Sequence, residues 1–185
     1  MSGRTSTATA PSTAVGARSR IDPVVYRTAM GLLPTGVTVI TAGCGQGTEA
    51  VTASSVTSVS LNPLLLLISV GADGRMRRRI DEHRAFTVNV LAAGQEALSS
   101  LFASRRRPSG AEAQLRLGGP VGRTGNVHVD GALLSVDCRL EHRYPGGDHV
   151  LFVGRVEALR APVGQAAPLV YHRGGYTALA REVAA

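Results

Sequence analysis

The sequence predicts a mainly β protein with helical inserts, arranged as a β-barrel or sandwich. Three observations predict it. Short runs rich in Val, Ile, Thr and Phe recur along the chain; Gly- and Pro-rich joints separate them; and the helical stretches are few and short. The chain has 185 residues, 44% of them hydrophobic, enough for one domain with a sizeable core. Only 4% are aromatic and Trp is absent, so Val, Leu, Ile and Ala carry most of the packing. The 22 Gly residues point to tight turns or close backbone approaches.

Residues 1–20 are Ser, Thr, Ala, Gly and Arg with no acid and almost no large apolar side chain. Such a segment buries too little surface to offset its ordering entropy and reads as a disordered tail. An Arg- and Ser-rich start also suits an organelle transit peptide, but the amphipathic pattern that reading needs is missing. Residues 21–185 form the folded domain.

Order begins at "IDPVVYRTAMGLLPTG". Asp22 is a good N-cap and Pro23 a good first helical residue, with Val24, Val25, Thr28 and Ala29 as an apolar face. The helix ends near Gly31 and Pro34. Strands follow over 37–42, 49–53, 64–70 and 86–91, and the Gly-rich "AGCGQGT" between the first two is a hairpin-type turn. Helices interrupt over 75–83, which is basic, and 95–103, where Leu98, Leu101 and Phe102 have core spacing. Residues 104–126 carry Arg, Gly, Pro and Ser with little periodicity and read as a long loop. Strands resume over 132–142 and 149–159 across the turn "RYPGGD", and a short apolar piece, 169–171, leads into "HRGGY".

The formal charge of +7 comes from twenty basic residues, every one an Arg. A basic balance suits phosphate-bearing partners, nucleic acids and phosphorylated cofactors alike. A nucleic-acid platform also needs exposed aromatics among the basic residues, and the clusters Arg77–Arg79 and Arg105–Arg107 lack them apart from Phe102. Arg77, Arg78 and Arg79 cannot all face one ligand from a helix, so at least one or two of them read as solvated surface, as do Arg106 and Arg107. Cys44 and Cys138 have no metal-ligand spacing and read as two free thiols. No apolar run reaches the ~18 residues of a membrane span, and no secretory apolar region opens the chain. These signs favour a cytoplasmic chain, with no metal, nucleic-acid or membrane partner. No GxGxxG follows a strand and no Walker loop is present.

One stretch stands apart. "VTASSVTSVSLNP" (51–63) holds four Ser and two Thr with no charge, and runs straight into "LLLLISV". It contains no acid, base or thiol. Together with "GVTVITA" (36–42), "FTVNVL" (86–91), "GALLSVDC" (131–138), "GGDHVLFVGRV" (146–156) and "PLVYHRGGY" (168–176), in that order, it resembles the short-chain flavin reductases. These are the reductase partners of two-component flavin-dependent monooxygenases. The resemblance spans roughly residues 21–180.

The resemblance implies a flavin-binding split β-barrel, usually a homodimer. It implies a chain that moves hydride from NADH or NADPH to FMN or FAD and passes reduced flavin to a flavin-dependent monooxygenase component. Thr52, Ala53, Ser54 and Ser55, with Ser58 and Ser60, then supply close backbone and small hydroxyls to the edge of a flat polar ring. The flavin carries the chemistry, which accounts for the lack of a protein nucleophile. The family's phosphate site falls on Gly71, Ala72, Asp73, Gly74 and Arg75, at a helix start. Relatives often carry Ser where this chain has Gly74 or Met76. Phe102, Ser104 and Arg105 are further cofactor candidates, although relatives continue to a Lys–Phe pair where this chain has Ser109–Gly110. His149 is the catalytic candidate, on the nicotinamide side, and Tyr171, Arg173 and Tyr176 complete the set. His83, His128 and His142 lack comparable support. The rival from another class is a split-barrel protein that stores or senses flavin without turnover.

Overall fold

The computed structural model describes residues 21–161 and 166–179. Segment 1–20, read above as a disordered tail, lies outside the described residues. Twelve strands and four α-helices build the described part. The main sheet has seven antiparallel strands. From one edge to the other they are β3 (Glu49–Ala53), β2 (Thr38–Ala42), β6 (Ala85–Val90), β9 (Leu134–Gly146), β10 (His149–Arg160), β5 (Leu64–Gly71) and β4 (Val56–Leu61). Two smaller sheets flank it: β1 (Thr35–Gly36), β11 (Leu169–His172) and β12 (Gly175–Ala178), and β7 (Gly118–Val121) with β8 (Val127–Val129).

The edge strands β3 and β4 are consecutive in the chain, joined only by Ser54 and Ser55. A chain that passes from one edge to the other within two residues forces the sheet to curl until its edges meet there. The edges meet without a ladder between them, so the barrel is split at the Ser54–Ser55 step.

Strand periodicity sorts the core into two layers. On β2, Ile40 and Ala42 join Ile68, Phe86, Val88, Val136 and Phe152 in one buried cluster, while Val39 faces the other way into a cluster with Leu91, Phe102, Leu117 and Val127. Both faces of β2 are therefore covered, which is why "TVITA" lacks the clean alternation of a half-exposed strand. On β10, Gly154 faces the Phe86 ring. A Cβ there would sit 2.6 Å from the ring and 2.7 Å from the Cys138 Cβ, so only Gly lets β9 and β10 pack over Phe86.

The sequence places several elements well. Helix α1 (Pro23–Met30) is capped by Asp22, whose carboxylate accepts the Val24 amide at 2.6 Å. Helix α2 (Arg75–His83) has the expected bounds, and α3 (Glu96–Ala103) follows a 3₁₀ turn at Ala93–Gln95. Three expectations need correction. The 104–126 stretch is not a loop: it holds helix α4 (Gly110–Leu117) and β7. Ala113 and Leu117, one turn apart, are buried, and Gly118 ends the helix in the left-handed conformation. Strands β4, β8 and β12 are additional; β4 escapes notice because its side chains are mostly exposed and half of them are Ser or Thr. The apolar face of α1 is not buried: Val24, Val25 and Tyr26 are all exposed. Among the described residues no helix is long and apolar enough to cross a membrane.

Candidate active site

The split in the barrel opens into a cavity of about 390 Å³. Its floor is the β3–β4 step: Thr52, Ala53, Ser54 and Ser55 line it, with Ser69 and Gly71 of β5 beside them. Ser55 Oγ donates to the Ser69 carbonyl at 2.9 Å and the Ser69 amide donates to the Ser55 carbonyl at 3.2 Å, which fixes the turn against β5. The amides of Ser54 and Ser55 find no acceptor among the described residues. Unpaired backbone donors at an open cavity are groups a ligand with polar atoms along one edge would satisfy. The hydroxyl-rich stretch thus folds this way for two reasons. Small side chains let backbone line the cavity, and two residues outside any ladder leave their N–H groups free.

The opposite walls come from α3 and the C-terminal hairpin. Thr52 Oγ1 donates to the Ser99 carbonyl at 2.6 Å, and Ser99 Oγ meets the Tyr176 hydroxyl at 2.9 Å. Tyr176 in turn stacks edge-on against Tyr171, with ring centroids 5.4 Å apart. Two aromatic rings and a run of small hydroxyls therefore face one cavity.

His149 opens β10 opposite Gly71, at the rim. The Ala72 amide donates to the Asp148 carbonyl at 3.0 Å and anchors the turn before it. His149 Nδ1 lies 2.7 Å from the Asp148 carboxylate. A carboxylate only accepts, so Nδ1 carries the proton of this bond and Nε2 is left to face a ligand. The hydrogen bond from His149, and then its charge, hold the Asp148 carboxyl below its ordinary value. Among the described residues no carboxylate or thiol lines the cavity. What the cavity offers is positional: small hydroxyls, two aromatic rings and one oriented imidazole.

Of the residues the sequence singles out, Thr52, Ala53, Ser54, Ser55, Gly71, His149, Tyr171 and Tyr176 meet in this cavity. The others do not line it. Ser58 and Ser60 lie further along β4, flanking the bulge in its pairing with β5. Ala72, Asp73 and Gly74 form the turn into α2, where the Gly74 amide is taken by the Gly71 carbonyl. Arg75 faces a separate cavity with Gln46, Arg79 and Ser109. Its guanidinium donates to the Arg107 carbonyl at 2.9 Å and lies 3.4 Å from Glu49. Phe102 is wholly buried in the core, because its spacing with Leu98 turns it inward rather than to a ligand. Ser104 caps the 104–107 turn, accepting the Arg106 amide, and Arg105 is exposed beside it. Arg173 lines a cavity on the far side of Tyr171. Sequence reasoning missed Ser69 and Ser99. Ser69 is the one hydroxyl in "LLLLISV", a polar interruption of an apolar run; Ser99 carries no such signal, being one Ser of a pair on a helix.

Residues 30–180 match the model of the flavin reductase like domain. The chain is 56% identical over 154 residues to the NADH-dependent FMN reductase AsuE2 of Streptomyces nodosus subsp. asukaensis, covering 83% of each chain. It is 41% identical to an NADH-dependent FAD reductase of Streptomyces globisporus, over 73% of this chain and 74% of that one. Its fold matches the crystal structure of BorF, the flavin reductase component of a bacterial two-component tryptophan halogenase. The TM-score is 0.80 at 40% identity, covering 85% of this chain and 98% of BorF.

Proposed function

The chain belongs to the flavin reductase-like family, and on that premise we propose that the split-barrel cavity is where NADH reduces FMN or FAD. The reduced flavin then leaves for a separate flavin-dependent monooxygenase. The observation that carries the reading is the Ser54–Ser55 step, where two unpaired amides and small hydroxyls face a cavity with an oriented imidazole at its rim. A bound flavin supplies the hydride acceptor. The chain's own residues do the rest: Ser54 and Ser55 hold the polar edge of the ring by backbone donors, and Thr52 and Ser99 keep α3 close. Tyr171 and Tyr176 shield the cavity from water, and His149 orients the nicotinamide through Nε2. No protein group would need to exchange a proton, since a bound flavin would accept the hydride itself.

The chain works as a homodimer. Support comes from the exposed Val24, Val25 and Tyr26 of α1 and from Val59, Leu61 and Leu64 on the β4–β5 hairpin, apolar surface that suits a second protein face. Sedimentation velocity tests it.

Multiple turnover tests the reductase reading. Protein at nanomolar concentration, given excess FMN and NADH in air, should oxidise many equivalents of NADH. A single equivalent per chain would instead mark a protein that stores or senses flavin.

A further inference from the structure

The ladder between β5 and β10 ends at the pair Gly71–His149. One bond extends it: the Ala72 amide donates to the Asp148 carbonyl at 3.0 Å. The Ala72 carbonyl is used as well, accepting from Arg77 Nε at 2.9 Å. Nη1 of the same guanidinium donates to Asp81 Oδ2 at 3.0 Å. The other Asp81 oxygen accepts from Arg143 Nη1 at 2.8 Å. Arg143 lies on β9 opposite Phe152 of β10, near the hairpin end where Gly146 pairs with His149. The contacts form a closed circuit that begins and ends at the turn carrying the imidazole.

Asp81 is the centre of that circuit. Its side chain is only 19% exposed, and each of its oxygens takes one guanidinium. With an amide in its place, two cations would be left side by side without their shared counter-charge. Arg77 spans a carbonyl and a carboxylate with two nitrogens of one planar fork, which a single ammonium cannot do. Exposed ion pairs contribute little to stability. What this circuit fixes is position: Ala72 is held from both sides, and the Asp148 carbonyl is held through it.

We propose that Arg77 and Asp81 are positioning residues for His149. Neither lines the split-barrel cavity. They join the 71–74 turn and the β9–β10 hairpin into one body, which sets the imidazole at the rim. The proposal rests on the reductase reading above, in which His149 meets the nicotinamide. Placement of a reacting partner is where small displacements cost most, so the effect should be read in NADH rather than in flavin.

The test is a double-mutant cycle. Arg77→Gln and Asp81→Asn are made in the wild type and in His149→Ala, with NADH kinetics, flavin Kd and Tm measured on each. In the wild-type background each should raise the KM for NADH about threefold, with flavin Kd changed less than about 1.5-fold. In His149→Ala the same substitutions should change KM less than about 1.5-fold, because the group they act through is gone. Should Asp81→Asn fail to fold, Arg77→Gln completes the cycle by itself. A rise that persists undiminished in His149→Ala would mean that the circuit only braces the hairpin, and overturns the proposal. Unchanged NADH kinetics in both single variants, or an equal loss of flavin and NADH affinity, overturns it too. Normal NADH kinetics in His149→Ala itself would instead sink the role of His149, and the proposal with it.

Discussion

The Tyr176 hydroxyl lies 2.9 Å from Ser99 Oγ, joining the last strand of the described chain to the helix that walls the cavity. The same Ser99 accepts the Thr52 hydroxyl through its carbonyl at 2.6 Å. One fully buried residue on α3 therefore holds both a β3 side chain and a β12 side chain in place. Tyr176→Phe and Ser99→Ala should each weaken flavin binding by roughly 1 kcal/mol, about fivefold. The double variant should cost less than the sum, because both remove the same bond. Flavin titrations of the three variants check this; strict additivity would show that the bond does not shape the site.

His149→Ala should raise the KM for NADH roughly two- to tenfold with little change in flavin affinity, the range of a single neutral hydrogen bond. Asp148→Asn, which leaves the imidazole without its carboxylate partner, should move KM in the same direction by less. Steady-state kinetics at saturating flavin decide it, on variants of unchanged Tm. Normal NADH kinetics in both would remove His149 from the site.

A buried polar cluster lies away from the cavity and bears on stability. Asp137 is 2% exposed. It accepts from Thr87 at 2.5 Å, the Arg123 amide at 2.8 Å and His128 Nε2 at 3.1 Å. Burial pushes its carboxyl up, but these hydrogen bonds and the His128 charge outweigh it and hold the carboxyl below the ordinary value. A depressed folded value means stability that is present above the ordinary carboxylate range, near pH 4, and lost as pH falls through the folded value. Asp137→Asn should therefore lower Tm at neutral pH by roughly 5 °C, and the gap to wild type should close in acid. Melts across pH 2–7 measure it, and a constant gap would contradict the assignment.

The two thiols should differ sharply. Burial, and then the Asp137 charge, push Cys138 up to about 12, while Cys44 is exposed. A thiol reagent at neutral pH should label one Cys in the native chain and two after denaturation. Labelling of both in the native chain would mean that the β9 core opens readily.

Much of this was legible in the residues, and the failures have physical causes. Strands β2, β3, β5 and β10 announce themselves because both or one of their faces pack on Val, Ile and Phe. Strand β4 does not, since an edge strand rich in Ser and Thr looks like a loop until β5 is placed beside it. Helix α4 was masked by the Arg, Gly and Pro around it, although Ala113 and Leu117 already had helical spacing. At the site, the hydroxyl-rich stretch itself drew attention to Ser54 and Ser55, while His149 came from the resemblance. Neither could reveal that Arg75 is held by Glu49 and Arg107, or that Phe102 points into the core. Those facts depend on which segments meet across more than twenty residues of chain, and the meeting is set by sheet order rather than by motif.

The location of the chemistry is the central claim, and Ser54→Trp tests it most directly. Ser54 is exposed at the mouth of the cavity, so an indole there should fill the flavin's place without disturbing either core layer. NADH oxidation and flavin titration on this variant, beside its melting curve, form the measurement. The expected result is an unchanged Tm with flavin binding and turnover both reduced by more than an order of magnitude. A folded Ser54→Trp chain that still binds flavin and turns over at the wild-type rate would place the reaction elsewhere on the molecule.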